Sequence, residues 1–335
     1  MNKLKNPLNL YLITIAAIGI IAVSLRAIAL FLEWNNISMY FDNDIIITFA
    51  DVLVVLGIIA SFSYLLIVRK EEKLIASTES PLTYIPSGMV SVALLFLSVE
   101  KIAEAKLYYV VSNPALKFLT PVICILGIIS ALSFFLSIFI EKNENTLKAI
   151  FSMALVAFLA LAAAFIYFDK HAQPTNSPSK IVDMMAYLFT AVFFLYESRI
   201  NLGRPLWRPY FAFGLIASLV CAYSAIPTGI YFIATGIIVS DSLVYCVLTL
   251  TISIFIGARI FHMRRFSKEE PCNAAKCIEA LAEKRTEEMA AKDTLLTGEN
   301  KESVEDEEAT DYENYTMDIT MPETSDGSFT NFNGE

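Results

Sequence analysis

Histidine is almost absent from this chain, with only His171 and His262 among 335 residues. Both fall in loops on opposite sides of the apolar pattern described below, so no metal-ligand set forms and metal catalysis is not expected. Cysteine is also scarce. Cys124, Cys221 and Cys246 lie inside apolar stretches, and Cys272 and Cys277 lie in the polar tail, so none is placed for an extracellular disulfide. The last two sit close enough to the final apolar stretch to be palmitoylation candidates, with inert thiols as the plainer reading. No nucleotide-binding glycine loop, nucleophile with its base, or cofactor fingerprint occurs. The expectation is therefore a protein with no catalytic residues, no cofactor and no enzymatic activity.

What the chain does have is apolar length. Hydrophobic residues make up 56% of it and mean hydropathy is +0.57. They gather in eight stretches near 8–32, 45–68, 82–99, 116–140, 147–168, 181–196, 206–226 and 243–261. A helix of about 20 apolar residues crosses the hydrocarbon core. The fold class expected is all-α, a polytopic membrane protein of about eight transmembrane helices over 1–265, followed by an acidic tail over 266–335. The first stretch follows a basic start and contains Ala27-Ile28-Ala29, but it is too long for a signal peptide and Arg26 adjoins the motif, so it reads as an anchored helix.

Charge is distributed unevenly. The membrane part carries +4 and the tail from Lys268 to Glu335 carries −13. With the N-terminus inside, fourteen Lys and Arg flank the inner ends of the spans and five lie in outer loops; the first outer loop, Glu33 to Asp44, has none. Basic residues are retained on the cytoplasmic side, so both termini are expected there. The absence of organellar signals suggests a bacterial plasma membrane. In the first outer loop Asn36-Ile37-Ser38 is a formal glycosylation acceptor in a eukaryotic setting only. The tail reads as a solvated, disordered extension with one helix near 273–292, and its run Glu305-Asp306-Glu307-Glu308 suits a cytoplasmic protein partner. No nucleic-acid partner is expected.

Two blocks of four spans share orientation, and weak matches recur between them in the same order. Asp51 and Tyr64 are echoed by Asp183 and Tyr196, Pro81-Leu82 by Pro205-Leu206, Tyr108–Ser112 by Tyr231–Thr235, and Ser137–Ile140 by Ser253–Ile256. Apolar segments draw on a small alphabet, so the choice lies between coincidence and a 4+4 parallel tandem repeat, an arrangement known in some transporters. After Pro227-Thr228-Gly229 the stretch Ile230 to Val239 is too short to span and too apolar for an open loop. It reads as an interfacial segment or a re-entrant element.

An ionised side chain inside the bilayer needs a partner or water. Arg26 and Asp51 lie at matched depth, each about six residues or ~9 Å below the outer boundary, and are natural partners between the first two spans. Their structural reading is a buried ion pair that fixes packing. Their functional reading is an outward-facing ligand or proton site, joined by Asp183, Glu100 and Lys101 in a mixed-charge vestibule. At the inner face Glu197, Arg199, Arg204 and Arg208 form a collar suited to anionic lipid head groups, with Glu197 and Arg199 as a gate in the alternative reading. The function classes that remain are a transporter of a small solute or lipid, and a membrane-embedded scaffold or sensor acting through its tail.

Overall fold

The computed structural model describes residues 7–67, 81–138, 145–169, 174, 177–202, 206–239 and 242–266. Arg204, His171, Cys272, Cys277 and the acidic tail with its expected helix lie outside the described residues. Nine helices and two short strands occur among the described residues: α1 (Pro7–Leu32), β1 (Trp34–Asn35), β2 (Tyr40–Phe41), α2 (Ile45–Ile67), α3 (Pro81–Glu104), α4 (Tyr108–Ser112), α5 (Pro114–Leu136), α6 (Asn145–Phe168), α7 (Pro178–Asn201), α8 (Trp207–Thr235) and α9 (Leu243–Phe266). All but α4 are long and apolar enough to cross a membrane, which makes the chain compatible with an integral membrane protein. In hydrocarbon every backbone N–H and C=O must be paired within the segment, which forces long apolar stretches into helix.

Proline marks the starts. α1, α3, α5 and α7 each begin on one, where its missing N–H costs nothing and its fixed φ suits the first turn. Ahead of α5 the side chain of Asn113 accepts a hydrogen bond from the amide of Ala115 at 3.0 Å, a cap for the exposed first turn.

The third and sixth spans are full-length helices, longer than the sequence suggests, because Glu100, Lys101, Glu104 and Glu197 are carried inside them. A larger correction concerns α8. It does not end at Pro227 but runs on to Thr235 and closes at Gly236, whose left-handed φ of 73° lets its amide return to the carbonyl of Phe232. Ile230 to Thr235 is therefore helix, neither an interfacial loop nor a re-entrant element. Proline strips the helix of bonds to the carbonyls three and four residues earlier. Here the hydroxyl of Thr228 donates to the carbonyl of Ser224 at 2.8 Å and re-satisfies one of them.

Six helices close a ring, because α3, α5, α6, α7, α8 and α9 each pack on the next and α9 returns to α3. The α1–α2 hairpin lies outside it, against α8. Its connection folds as the β1–β2 ribbon, in which Trp34 pairs with Phe41 and Asn35 with Tyr40. The ribbon rests with Ala29, Leu30, Ile47, Tyr231 and Val239 in a separate apolar cluster. Hydroxyls tie the ring: Ser87 donates to the carbonyl of Phe134 at 2.9 Å and Ser91 to that of Ala131 at 2.7 Å, joining α3 to α5. Such bonds matter in lipid, where apolar surface alone does not drive helices together.

The 4+4 repeat is not shown. The second set of spans (α6, α7, α8, α9) packs in sequence, whereas in the first set α1–α2 and α3–α5 are hairpins placed on different sides of α8 and α9.

The ring is tightest at Gly127 of α5. A Cβ there would meet the hydroxyl of Ser98 at 2.4 Å and the ring of Phe158 at 3.3 Å, whereas one at Gly88 would meet nothing within 4 Å. Gly127→Val is expected to cost about 1–3 kcal/mol through overpacking, seen as a lower thermal midpoint in detergent. Gly88→Ala should hold or raise that midpoint, since alanine is the better helix former by about 1 kcal/mol. Equal midpoints for the two variants would show that α5 is not held at Gly127.

Candidate functional site

Side chains that carry charge occupy three places in the bundle. Two lie toward the face where α1 ends, here the far face, and one toward the face where α1 begins, the near face.

The first place surrounds Arg26, which is only 1% exposed although it sits in α1. Arg26 and Asp51 do not form the direct ion pair expected from their depth. Tyr223 of α8 stands between them. The guanidinium carbon lies 4.6 Å from the centre of the Tyr223 ring, and the Tyr223 hydroxyl donates to Asp51 Oδ1 at 2.6 Å. A cation over a tyrosine face is attracted by the ring quadrupole, which replaces part of the lost hydration. Arg26 Nη2 also donates to Ser179 Oγ at 3.4 Å, while Nε has no hydrogen-bond partner among the described residues. On the next residue of α8, Ser224 donates to Asp183 Oδ1, and Asp183 interacts electrostatically with Arg26. Two adjacent residues of α8 thus hold two carboxylates from two other helices, α2 and α7.

The second place lies across the ring. Lys101 is 2% exposed; its ammonium pairs with Glu104 Oε2 at 2.5 Å and lies 4.1 Å from the ring centre of Phe165 and 5.0 Å from that of Tyr245. Beside it Glu100 Oε2 accepts from Ser242 at 3.1 Å. The sequence reading joined Arg26, Asp51, Asp183, Glu100 and Lys101 in one vestibule. The structure separates them into these two groups. Between them stand Tyr187 and Tyr245, packed edge to face at 5.8 Å, with a recess of about 10 Å³ beside Asp183. That volume is about one water. Lys180, counted as an outer-loop cation from sequence, is fully buried at the start of α7, and its ammonium donates to the carbonyl of Asp169.

The third place is at the near face. Glu197 does not gate with Arg199. It is buried and paired with Arg259 of α9, whose Nε and Nη2 donate to Oε1 at 3.0 Å and 2.6 Å. Tyr210 of α8, also buried, interacts electrostatically with both partners. Arg199 is exposed and Arg208 half-buried, so the collar contains these without Glu197. Arg259 escaped the sequence reading because α9 was taken to end at Phe261; it runs to Phe266, which also puts His262 in a helix and buried rather than in a loop.

Around the Glu197–Arg259 pair opens a cleft of about 100 Å³ inside the ring. Its walls come from five helices, and position along each helix gives the depth. Nearest the face are Thr83, Ser137, Lys148 and Asn201; next come Tyr84, Ser133, Ser152, Glu197 and Arg259; deepest are Leu155, Phe134, Phe194 and Phe255. The three phenylalanines pack on one another with centres 5.2 to 5.9 Å apart and form an aromatic floor. From Asn201 to Phe194 the cleft descends about 10 Å at 1.5 Å per residue. Beyond the floor Leu94, Leu97, Ile123, Phe158, Leu248 and Ile252 are all at most 1% exposed and fill the ring up to the level of Lys101.

No protein-family model, curated protein or solved structure gives a match to this chain. Function therefore rests on this geometry.

Burying a cation and removing its partner strands it, at about 3–5 kcal/mol, whereas replacing both members with apolar side chains is often neutral or stabilising. Glu197→Leu should sharply lower the thermal midpoint in detergent, and the double variant Glu197→Leu, Arg259→Leu should recover most of the loss. A double variant worse than either single change would mean that the pair does not act as a unit.

Proposed function

We propose that the protein is an integral membrane transporter of a small solute, drawn in the state open at the near face. The observation that carries this reading is the order of layers inside the ring: a polar cleft at one face, an apolar plug, then a second group of charged side chains around Lys101 toward the other face. A structural core has no need of a cleft that ends on paired charges, because buried charges cost several kcal/mol unless something uses them. A solute site closed on one side by packed apolar side chains is what alternating access requires. The reading does not depend on a tandem repeat.

The asymmetry of Lys and Arg supports cytoplasmic termini, so that the cleft opens to the cytoplasm, and Arg199 and Arg208 are placed to meet anionic head groups there. A cysteine in place of the exposed Ser38, in the β1–β2 ribbon, should react with a membrane-impermeant maleimide on intact cells. Reaction only after permeabilisation would reverse the orientation.

The transport reading is tested by reconstituting the full chain in liposomes and measuring uptake of a panel of small polar solutes. At least one should show saturable flux, reduced more than tenfold by Ser152→Phe, which fills the cleft and leaves the Glu197–Arg259 pair in place. Flux at the level of protein-free liposomes for every solute would end the reading.

A further inference from the structure

Building on the transport reading, we infer that the near-face cleft binds a small organic monoanion, a short-chain carboxylate whose oxygens face Lys148 and the hydroxyl wall and whose alkyl end lies on the phenylalanine floor.

The charge argument starts from the three ionised side chains of the lining. Glu197 spends Oε1 on two donors of Arg259, and the pair is internally neutral. Lys148 then leaves the described lining with one positive charge in excess. Donors are also in surplus. The hydroxyls of Tyr84, Ser133 and Ser152 and the amide of Asn201 make no hydrogen bond among the described residues, and all four line the cleft. Hydroxyls can give or accept, so the net charge decides which they do; facing a cationic wall they turn their protons toward an acceptor. A carboxylate is acceptor-only and offers about four lone-pair sites. Bonds from neutral or charged donors to an ionised oxygen are shorter and stronger than neutral pairs.

Size and polarity narrow the class. The cleft of about 100 Å³ is smaller than the ~150 Å³ cavity that holds one benzene molecule. A long fatty acid would have to pass the floor of Phe134, Phe194 and Phe255, which is closed by packing. A hydrated inorganic anion would set its water shell against that floor with nothing to bond. A short carboxylate meets both ends of the cleft, with its charge at the depth of Lys148 to Ser152 and its carbon chain about one helical turn deeper.

The test uses the purified full-chain protein in detergent, with thermal unfolding followed against added propionate, propionamide, propylammonium and inorganic phosphate, and with dioleoylphosphatidylglycerol as the lipid anion. A ligand that binds only the folded state raises the midpoint with the logarithm of its concentration. Propionate is expected to raise it saturably, and propionamide, of the same shape without the charge, is not. Lys148→Met should weaken the propionate response at least tenfold, and Ser152→Phe should remove it while keeping a cooperative transition. A response to phosphate, propylammonium or phosphatidylglycerol equal to that of propionate overturns the inference, as does a propionate response retained in both variants. The liposome assay separates this claim from the one it rests on. Flux of another solute that Ser152→Phe blocks, with no response to propionate, defeats the carboxylate and keeps the transporter; a propionate response without any flux keeps the binding site and defeats transport.

Discussion

Tyr223 stands between a buried cation and a carboxylate, and the position of α8 follows from what its ring and hydroxyl do there. The ring takes the guanidinium of Arg26 from α1, and the hydroxyl binds Asp51 of α2. Its neighbour Ser224 takes Asp183 of α7. In a bilayer the lipid tails are as apolar as leucine, so helix association relies on close packing and on polar contacts rather than on expulsion of water. One helix therefore collects the charges of three others. α8 packs against α1, α2, α7 and α9, and Tyr223, Ser224 and the Arg26 they hold are all at most 4% exposed. Moving α8 would expose an arginine and two carboxylates at once to hydrocarbon.

With α8 anchored from outside by the α1–α2 hairpin, the ring has a fixed member against which the others can be compared. The Lys101 group is built by α3, α6 and α9, and the Glu197–Arg259 pair by α7 and α9. α9 thus belongs to both polar levels, with Tyr245 at one and Arg259 at the other. Fourteen residues separate them, about 21 Å of helix, most of it apolar. A movement of α9 that opens one level acts on the other through a rigid rod, which couples the two ends without a wire of intermediate contacts.

The number of spans was legible because twenty-residue apolar runs have one physical solution in lipid. The depth match of Arg26 and Asp51 was legible too, since it needs only rise per residue. Tyr223 was not, because a tyrosine among apolar residues in α8 is indistinguishable from packing until its azimuth is known. The break expected at Pro227 failed for a local reason: a threonine one residue later supplies the hydroxyl that the proline makes necessary. Arg259 was hidden by a boundary, since Arg264 and Arg265 follow closely and all three look like a snorkelling end. The cleft had no sequence signal at all. Serines on α5 and α6, a tyrosine on α3 and an asparagine on α7 have no shared spacing; only the closing of the ring brings them to one depth.

The same comparison bears on what the charges are for. Lys101 is enclosed by Glu104 and two aromatic faces, and Arg26 by Tyr223 and Ser179; each is compensated by its own surroundings and would remain so if nothing were ever bound. The near-face lining is different, because its ion pair is complete while four further polar side chains beside it bond to no described residue. Packing alone would have filled such a space with alkyl groups, at a gain of roughly 25 cal/mol per Å² of apolar area removed from water or polar contact. Retaining hydroxyls there is unfavourable for the empty protein and favourable for a loaded one, and that asymmetry, more than the presence of charge, distinguishes a binding cleft from a buried polar contact.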